Sequence, residues 1–180
     1  MDPRPIGVFD SGMGGLTVLH ECLVTMPHED FVYLGDAARL PYGPRELPEV
    51  ARFAHEIGAF LETQGVKLIL VACNTATAAA LPELQESLSV PVVGVIAPEA
   101  HAAVQATRNR RIGLLATAGT VACVARRPIR RLRVACTAAC ASGVITPTTG
   151  TSSSSCSCGS AAEVAALQAT STSFTSCAAR

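Results

Sequence analysis

Up to about residue 121 the chain alternates short apolar runs with longer stretches in which apolar side chains recur every three or four positions. The runs at 5–9, 31–34, 67–72, 90–96 and 111–116 are too short for helices and are set off by turn-forming residues, which predicts five strands. The unbroken run 68–72 predicts a strand buried on both faces. Helical spacing is clearest over 46–63, where Leu47, Val50, Ala54, Ile57 and Leu61 share one face and Arg52, Glu56 and Glu62 lie on others. A further helix is expected from Leu16. This alternation predicts an α/β fold built on a doubly wound parallel sheet, with connecting helices on both faces. In such sheets ligands meet the loops that follow the carboxyl ends of the strands.

Three of those loops carry polar side chains. In KLILVACNTATAAAL, residues 67–81, Cys73 closes the apolar run, Asn74 and Thr75 supply capping groups, and strong helix formers follow. A thiol beside a helix amino terminus is biased toward the thiolate, its reactive form. A free cysteine also packs as a small hydrophobe, and spacing alone leaves both readings open. The first loop holds Asp10 and Ser11 with Gly12, Gly14 and Gly15 ahead of a helix, a geometry that brings backbone N–H groups to an anion. No Lys-Ser/Thr pair follows, and the third glycine is at the wrong offset for a dinucleotide fingerprint, so the choice lies between a carboxylate-binding turn and a plain tight turn. The loop GDAARLPYGPR, residues 35–45, is stiffened by Pro41 and Pro44 and offers Tyr42 and backbone amides to a small ligand. Arg39 and Arg45 read as solvated or paired with Asp36 and Glu46.

The 180 residues are 49% hydrophobic with zero net charge, enough for an ordinary core and with nothing to recommend nucleic acid or an anionic membrane as partner. No apolar run is long enough to span a bilayer, and the amino terminus lacks a signal peptide's apolar stretch, so a cytoplasmic protein is expected. Of eight cysteines only Cys22 and Cys73 precede residue 121, a distribution that argues against a disulfide scaffold. His20, His28, His55 and His101 have no partner at ligand spacing, and no metal site is expected.

Five stretches in order, IGVFDSGMGGLTVL (6–19), YLGDAARLPYG (33–43), ILVACNTATAAAL (69–81), PVVGVI (91–96) and RIGLLAT (111–117), resemble glutamate racemase, one of the cofactor-independent aspartate/glutamate racemases, over about two thirds of the chain. Ala37 departs from the threonine usual in that family, with little expected effect on binding. The resemblance implies interconversion of L- and D-glutamate, supplying D-glutamate for peptidoglycan, without metal, pyridoxal phosphate or nucleotide. Racemisation needs acid/base groups on both sides of Cα, and the family uses two cysteines. Cys73 matches the first, the base toward the D-enantiomer. By the same resemblance Asp10 assists that thiol and contacts the ammonium, while Ser11, Pro41, Tyr42, Gly43, Asn74 and Thr75 hold the substrate's carboxylates and ammonium. The site must then exclude water and stabilise a carbanion. Family members often form a homodimer. The alternatives are an aspartate racemase and a non-catalytic fragment that binds acidic amino acids.

Past Val121 the family pattern is expected to stop. Residues 122–180 hold six of the eight cysteines but one of the fourteen acidic residues, Glu163. Arg126, Arg127, Arg130, Arg131 and Arg133 cluster there, followed by TPTTGTSSSSCSCGS. Such a composition predicts a disordered tail outside the racemase fold, read in a shifted frame. The family's second cysteine lies in a Gly-Cys-Thr-His-Tyr-Pro stretch that these 180 residues lack. Cys136 is the nearest imitation, preceded by arginines where a strand is needed, and Cys156 and Cys158 have no later histidine to complete a metal site. The expected organisation is an incomplete two-domain racemase fold: an incomplete first domain over 1–97, the start of a second over 98–121 and a tail over 122–180, with half of the cleft missing and little or no racemase activity.

Overall fold

The computed structural model describes residues 2–108, 112–125 and 132–136, with backbone alone at 125 and 132–136. Strands and helices alternate throughout: β1 (Ile6–Asp10), α1 (Gly15–Thr25), β2 (Phe31–Gly35), α2 (Leu47–Thr63), β3 (Leu68–Val71), α3 (Asn74–Ser87), β4 (Val92–Gly94), α4 (Ile96–Ala106), β5 (Ile112–Ala116), α5 (Ala118–Ala125) and β6 (Leu132–Cys136). The first four strands form one sheet in the order β2-β1-β3-β4, and β5 and β6 form a second. All pairings are parallel, with Asp10 opposite Gly35, Phe9 opposite Val71 and Val71 opposite Gly94. This is the predicted α/β parallel architecture.

Side chains alternate across β1, and that alternation splits the interior in two. Phe9 joins Val50, Ile57 and Leu61 of α2 and Leu84 of α3 on one face, whereas Ile6, Val8 and Ala72 meet Val18 and Leu19 of α1 on the other. The α1 face is the thinner layer. Leu68 and Leu70 are therefore only partly buried, which corrects the expectation that β3 is covered on both faces; all five residues of β1 are buried.

The α2 face holds Val50, Ala54, Ile57 and Leu61 as predicted, together with Phe53, but Leu47, the first residue of the helix, is exposed. Gly65, at φ +71°, makes the turn from α2 into β3. The predicted strand 90–96 is cut to three residues, because Val95 turns into helical backbone and Ile96 opens α4 with Pro98 in its first turn, where a missing N–H costs nothing. Helix α3 continues through Pro82 to Ser87, held by the burial of Ala80 and Leu84.

The expectation that strand and helix alternation ends at Val121 is also corrected. Helix α5 runs to Ala125, and β6 pairs with β5 in parallel, Ala116 opposite Cys136. LRVAC is a short, mostly apolar run of strand length, a signal that the surrounding arginines obscure. Cys156 and Cys158, and the predicted tail from residue 137 on, lie outside the described residues. Among the described residues no helix is long and apolar enough to cross a membrane.

Candidate active site

Strand order reverses between β1 and β3, since β1 sends its chain outward to β2 whereas β3 lies on its other side and continues to β4. The loops leaving β1 and β3 therefore diverge at their carboxyl ends, the place where open α/β sheets leave a crevice. Asp10 ends β1, Cys73 follows β3, and the 35–45 loop leaves β2.

Asp10 is buried, and its carboxylate serves the first turn of α1. Oδ2 accepts from the backbone N–H of Gly15 at 2.9 Å and of Gly12 at 3.2 Å, and Oδ1 from the Ser11 hydroxyl at 3.4 Å. The fit leaves no room for a side chain at residue 15, where a Cβ would lie 2.6 Å from Asp10 Cβ. Nor is there room at residue 35, where it would lie 2.4 Å from the carbonyl oxygen of Gly12. That carbonyl also accepts from the Tyr33 hydroxyl at 3.0 Å.

Cys73 stands between β3 and α3 as the helix N-cap, its Sγ accepting from the Ala76 N–H at 3.5 Å. Capping thus falls to the thiol, and Asn74 and Thr75, expected as caps, are the first helical residues. Cys73 is 6% exposed. Burial pushes its pKa up; the Ala76 N–H and the Ser11 hydroxyl pull it down, and the Asp10 carboxylate raises it. Desolvation outweighs the helix terminus, so the resting group is a thiol, correcting the expected bias to thiolate.

In the second loop the Tyr42 side chain turns inward. It is 1% exposed, packs on Phe53 with ring centroids 5.7 Å apart and donates its hydroxyl to Asp36 Oδ2 at 2.5 Å. Burial and the Asp36 hydrogen bond raise its pKa far above that of an ordinary tyrosine. The phenol is therefore committed, and what the loop has left for a ligand is its main chain around Gly43. Pro41 is exposed, at the end of a cis Leu40–Pro41 peptide. Arg39 pairs with Asp36 at 2.6 Å, as expected, and with Glu56 at 2.5 Å. Arg45 pairs with Glu49 at 2.7 Å, one helical turn beyond the expected Glu46.

The structure brings Asp10, Ser11 and Cys73 together, with Asn74 and Thr75 following the thiol. It adds groups the sequence reading missed. Thr75 Oγ1 is 3.1 Å from Thr117 Oγ1, which is 3.0 Å from Thr120 Oγ1, and a Cβ on Gly43 would lie 3.1 Å from Thr117 Cγ2. Thr117 follows β5 at its carboxyl end, so the strand-end rule that singled out Cys73 applies to it equally. Among the described residues no group of three or more His, Cys, Asp or Glu is placed to hold a metal ion.

The sequence profile of Asp/Glu/Hydantoin racemases matches residues 17–171. Glutamate racemase of Levilactobacillus brevis is 60% identical over 122 residues, 67% of this chain and 44% of that protein. The chain thus spans less than half the length of this curated relative. A glutamate racemase isoform from Bacillus anthracis superposes with a TM-score of 0.70 at 41% identity, covering 76% of this chain and 54% of that one. Glutamate racemase from Thermus thermophilus, solved with β-chloro-D-alanine, gives 0.64 at 51% identity, covering 73% and 52%. The family profile covers most of the chain and the relatives agree with it in sequence and in overall backbone, and the chain belongs to the Asp/Glu/Hydantoin racemase family.

Proposed function

We propose that this chain carries one side of a glutamate racemase site, with Cys73 as the acid/base group for one face of Cα. The observation that carries the reading is the setting of that sulfur: buried beside Asp10 and Ser11 at the end of β3, one residue before Asn74 and two before Thr75. A thiol with a raised pKa is well matched to returning a proton to a carbanion. In the reverse direction the thiolate that removes the proton is stabilised by the Ala76 N–H and the Ser11 hydroxyl. The substrate's ammonium lies near Asp10, and its carboxylates meet the Gly43 main chain, Thr75 and the neighbouring Thr117. The chemistry needs no metal or organic cofactor, because positioned donors and exclusion of water supply the stabilisation of charge. The complete enzyme of which this is one side would make D-glutamate for peptidoglycan in the cytoplasm.

Inversion requires a second acid/base group on the opposite face, and the Gly-Cys-Thr-His-Tyr-Pro stretch that would supply it does not occur in these 180 residues. The chain by itself is therefore expected to bind D-glutamate and to exchange its Cα hydrogen with deuterium from solvent, without inverting it. Calorimetry and mass spectrometry in D2O, with Cys73→Ser as control and aspartate as competing substrate, test this. Exchange should vanish in Cys73→Ser. Binding without exchange would reduce the chain to an acidic amino acid binder, and full racemisation abolished by Cys73→Ser would overturn the one-sided reading. Exchange of aspartate in preference to glutamate would reassign the substrate.

A further inference from the structure

The loop after β1 is rich in glycine: Gly12, Gly14 and Gly15 follow Ser11, and Gly14 is the N-cap of α1. Glycine loses more conformational freedom on ordering than any other residue, so a loop of this composition needs anchors from outside itself to keep one shape. Asp10 supplies one anchor, accepting from the N–H of Gly12 at 3.2 Å and of Gly15 at 2.9 Å. The other comes from β2. Tyr33 and Gly35 stand two positions apart there and share one face of the strand. The Tyr33 hydroxyl donates to the Gly12 carbonyl at 3.0 Å, and a Cβ on Gly35 would lie 2.4 Å from that same oxygen. A glycine that leaves room and a tyrosine that brings a donor make a seat for one carbonyl group.

Gly12 is thereby held at both ends, its N–H by Asp10 and its C=O by Tyr33, and Ser11 lies between Asp10 and the residue so fixed. The Tyr33 ring packs with Ile6, Val8 and Ala72, so the hydroxyl is carried by a side chain that is itself secured. Burial, and the neighbouring Asp10 and Cys73, raise the pKa of the phenol above that of an ordinary tyrosine, which keeps it a donor at neutral pH. We propose that Tyr33 is a positioning residue: with the space left at Gly35 it seats the Gly12 carbonyl on the end of β2 and so fixes Ser11 where an amino acid meets it beside Cys73. The identity of the ligand rests on the racemase reading; the seating of the loop does not. Without the hydroxyl the loop keeps only its Asp10 anchor, and Ser11 is no longer held in one place.

Tyr33→Phe keeps the ring with its packing and removes the hydroxyl alone. In that variant of the full 180-residue chain, solvent exchange of the Gly12 amide, read by ¹⁵N spectroscopy, is expected to speed up about fivefold, the scale of one lost hydrogen bond. The Ile69 amide, bonded to the Pro91 carbonyl in the sheet at 2.9 Å, reports any general loosening and should stay unchanged. Unchanged Gly12 exchange, or equal acceleration at Gly12 and Ile69, overturns the proposal. Calorimetry with D-glutamate reads the consequence for binding. The Kd should rise about tenfold in Tyr33→Phe, whereas in a Ser11→Ala background the same change should add less than about twofold, because Tyr33 acts through the loop. An unchanged Kd in Tyr33→Phe, or the same loss in both backgrounds, overturns the positioning role. If the wild-type chain does not bind D-glutamate, the racemase reading fails for this chain while Gly12 exchange still decides whether Tyr33 seats the loop.

Discussion

Replacing Asp10 with alanine separates two roles that its position allows, support of the fold and support of the thiol. In the native chain Oδ2 takes the N–H groups of Gly15 and Gly12 at 2.9 and 3.2 Å. The Gly15 bond is buried and the Gly12 bond is partly open to water. Leaving a buried donor unpaired costs about 1–3 kcal/mol. Loss of the partly open Gly12 bond adds about 1 kcal/mol, since water can take over only part of what Gly12 loses. Asp10→Ala should therefore destabilise the chain by about 2–4 kcal/mol. With a urea dependence of about 2 kcal/mol per molar, the unfolding midpoint followed by far-ultraviolet circular dichroism should fall by about 1–2 M. Asp10→Asn keeps an oxygen for Gly15 and should lose only about 1 kcal/mol. It also removes the negative charge that raises the Cys73 pKa, so the thiol becomes more acidic and its alkylation at a fixed pH speeds up. A midpoint for Asp10→Ala within about 0.3 M of the wild type would refute the capping role. Unchanged alkylation in Asp10→Asn would refute the electrostatic link to Cys73.

Alkylation of Cys73, followed peptide by peptide because the chain has eight cysteines, should be slow at neutral pH and accelerate only above the ordinary thiol range; Ser11→Ala, which removes a hydrogen bond that lowers the pKa, should slow it further. Gly94→Ala would place a Cβ 2.4 Å from Thr77 Cγ2 and 3.0 Å from Leu81 Cδ2; overpacking of this kind costs about 1–3 kcal/mol, read as a fall of several degrees in a thermal melt. The chain has two tyrosines and no tryptophan, so an ultraviolet titration reads the phenols directly. Tyr42 has a folded-state pKa above its unfolded value near 10, so its contribution to stability is complete below about pH 10 and is lost as the pH rises beyond it. Its ionisation should coincide with unfolding, and a phenol that titrates near pH 10 in the folded wild type but not in Tyr42→Phe would contradict this.

The placement of the site was legible because the strand-end rule needs only the order of elements. Asp10 and Ser11, Cys73, Asn74 and Thr75 adjoin apolar runs that no helix could accommodate, and alternation fixed which end of each strand they occupy. What side chains do once there was not legible to the same degree. Nothing in DSGMGG announces that the Asp10 carboxylate reaches five residues ahead to Gly15. Whether Tyr42 faces a ligand or the core depends on Asp36 and Phe53, the latter eleven residues away on α2, and that is a matter of tertiary packing. The Cys73 pKa turned on burial, which periodicity alone understates. Thr117 was overlooked although it obeys the same positional rule, and β6 because arginine density outweighed a short apolar run.

The central place of β1 has a consequence for biosynthesis. Strand β1 is flanked on both sides in the finished sheet; β2 follows it after some twenty residues, but its other partner β3 arrives some sixty residues later. Hairpin-like nucleation is ruled out for parallel neighbours, so the nascent chain carries an apolar strand with one edge still unpaired until that later segment has been translated, a window in which it depends on chaperones and is open to aggregation.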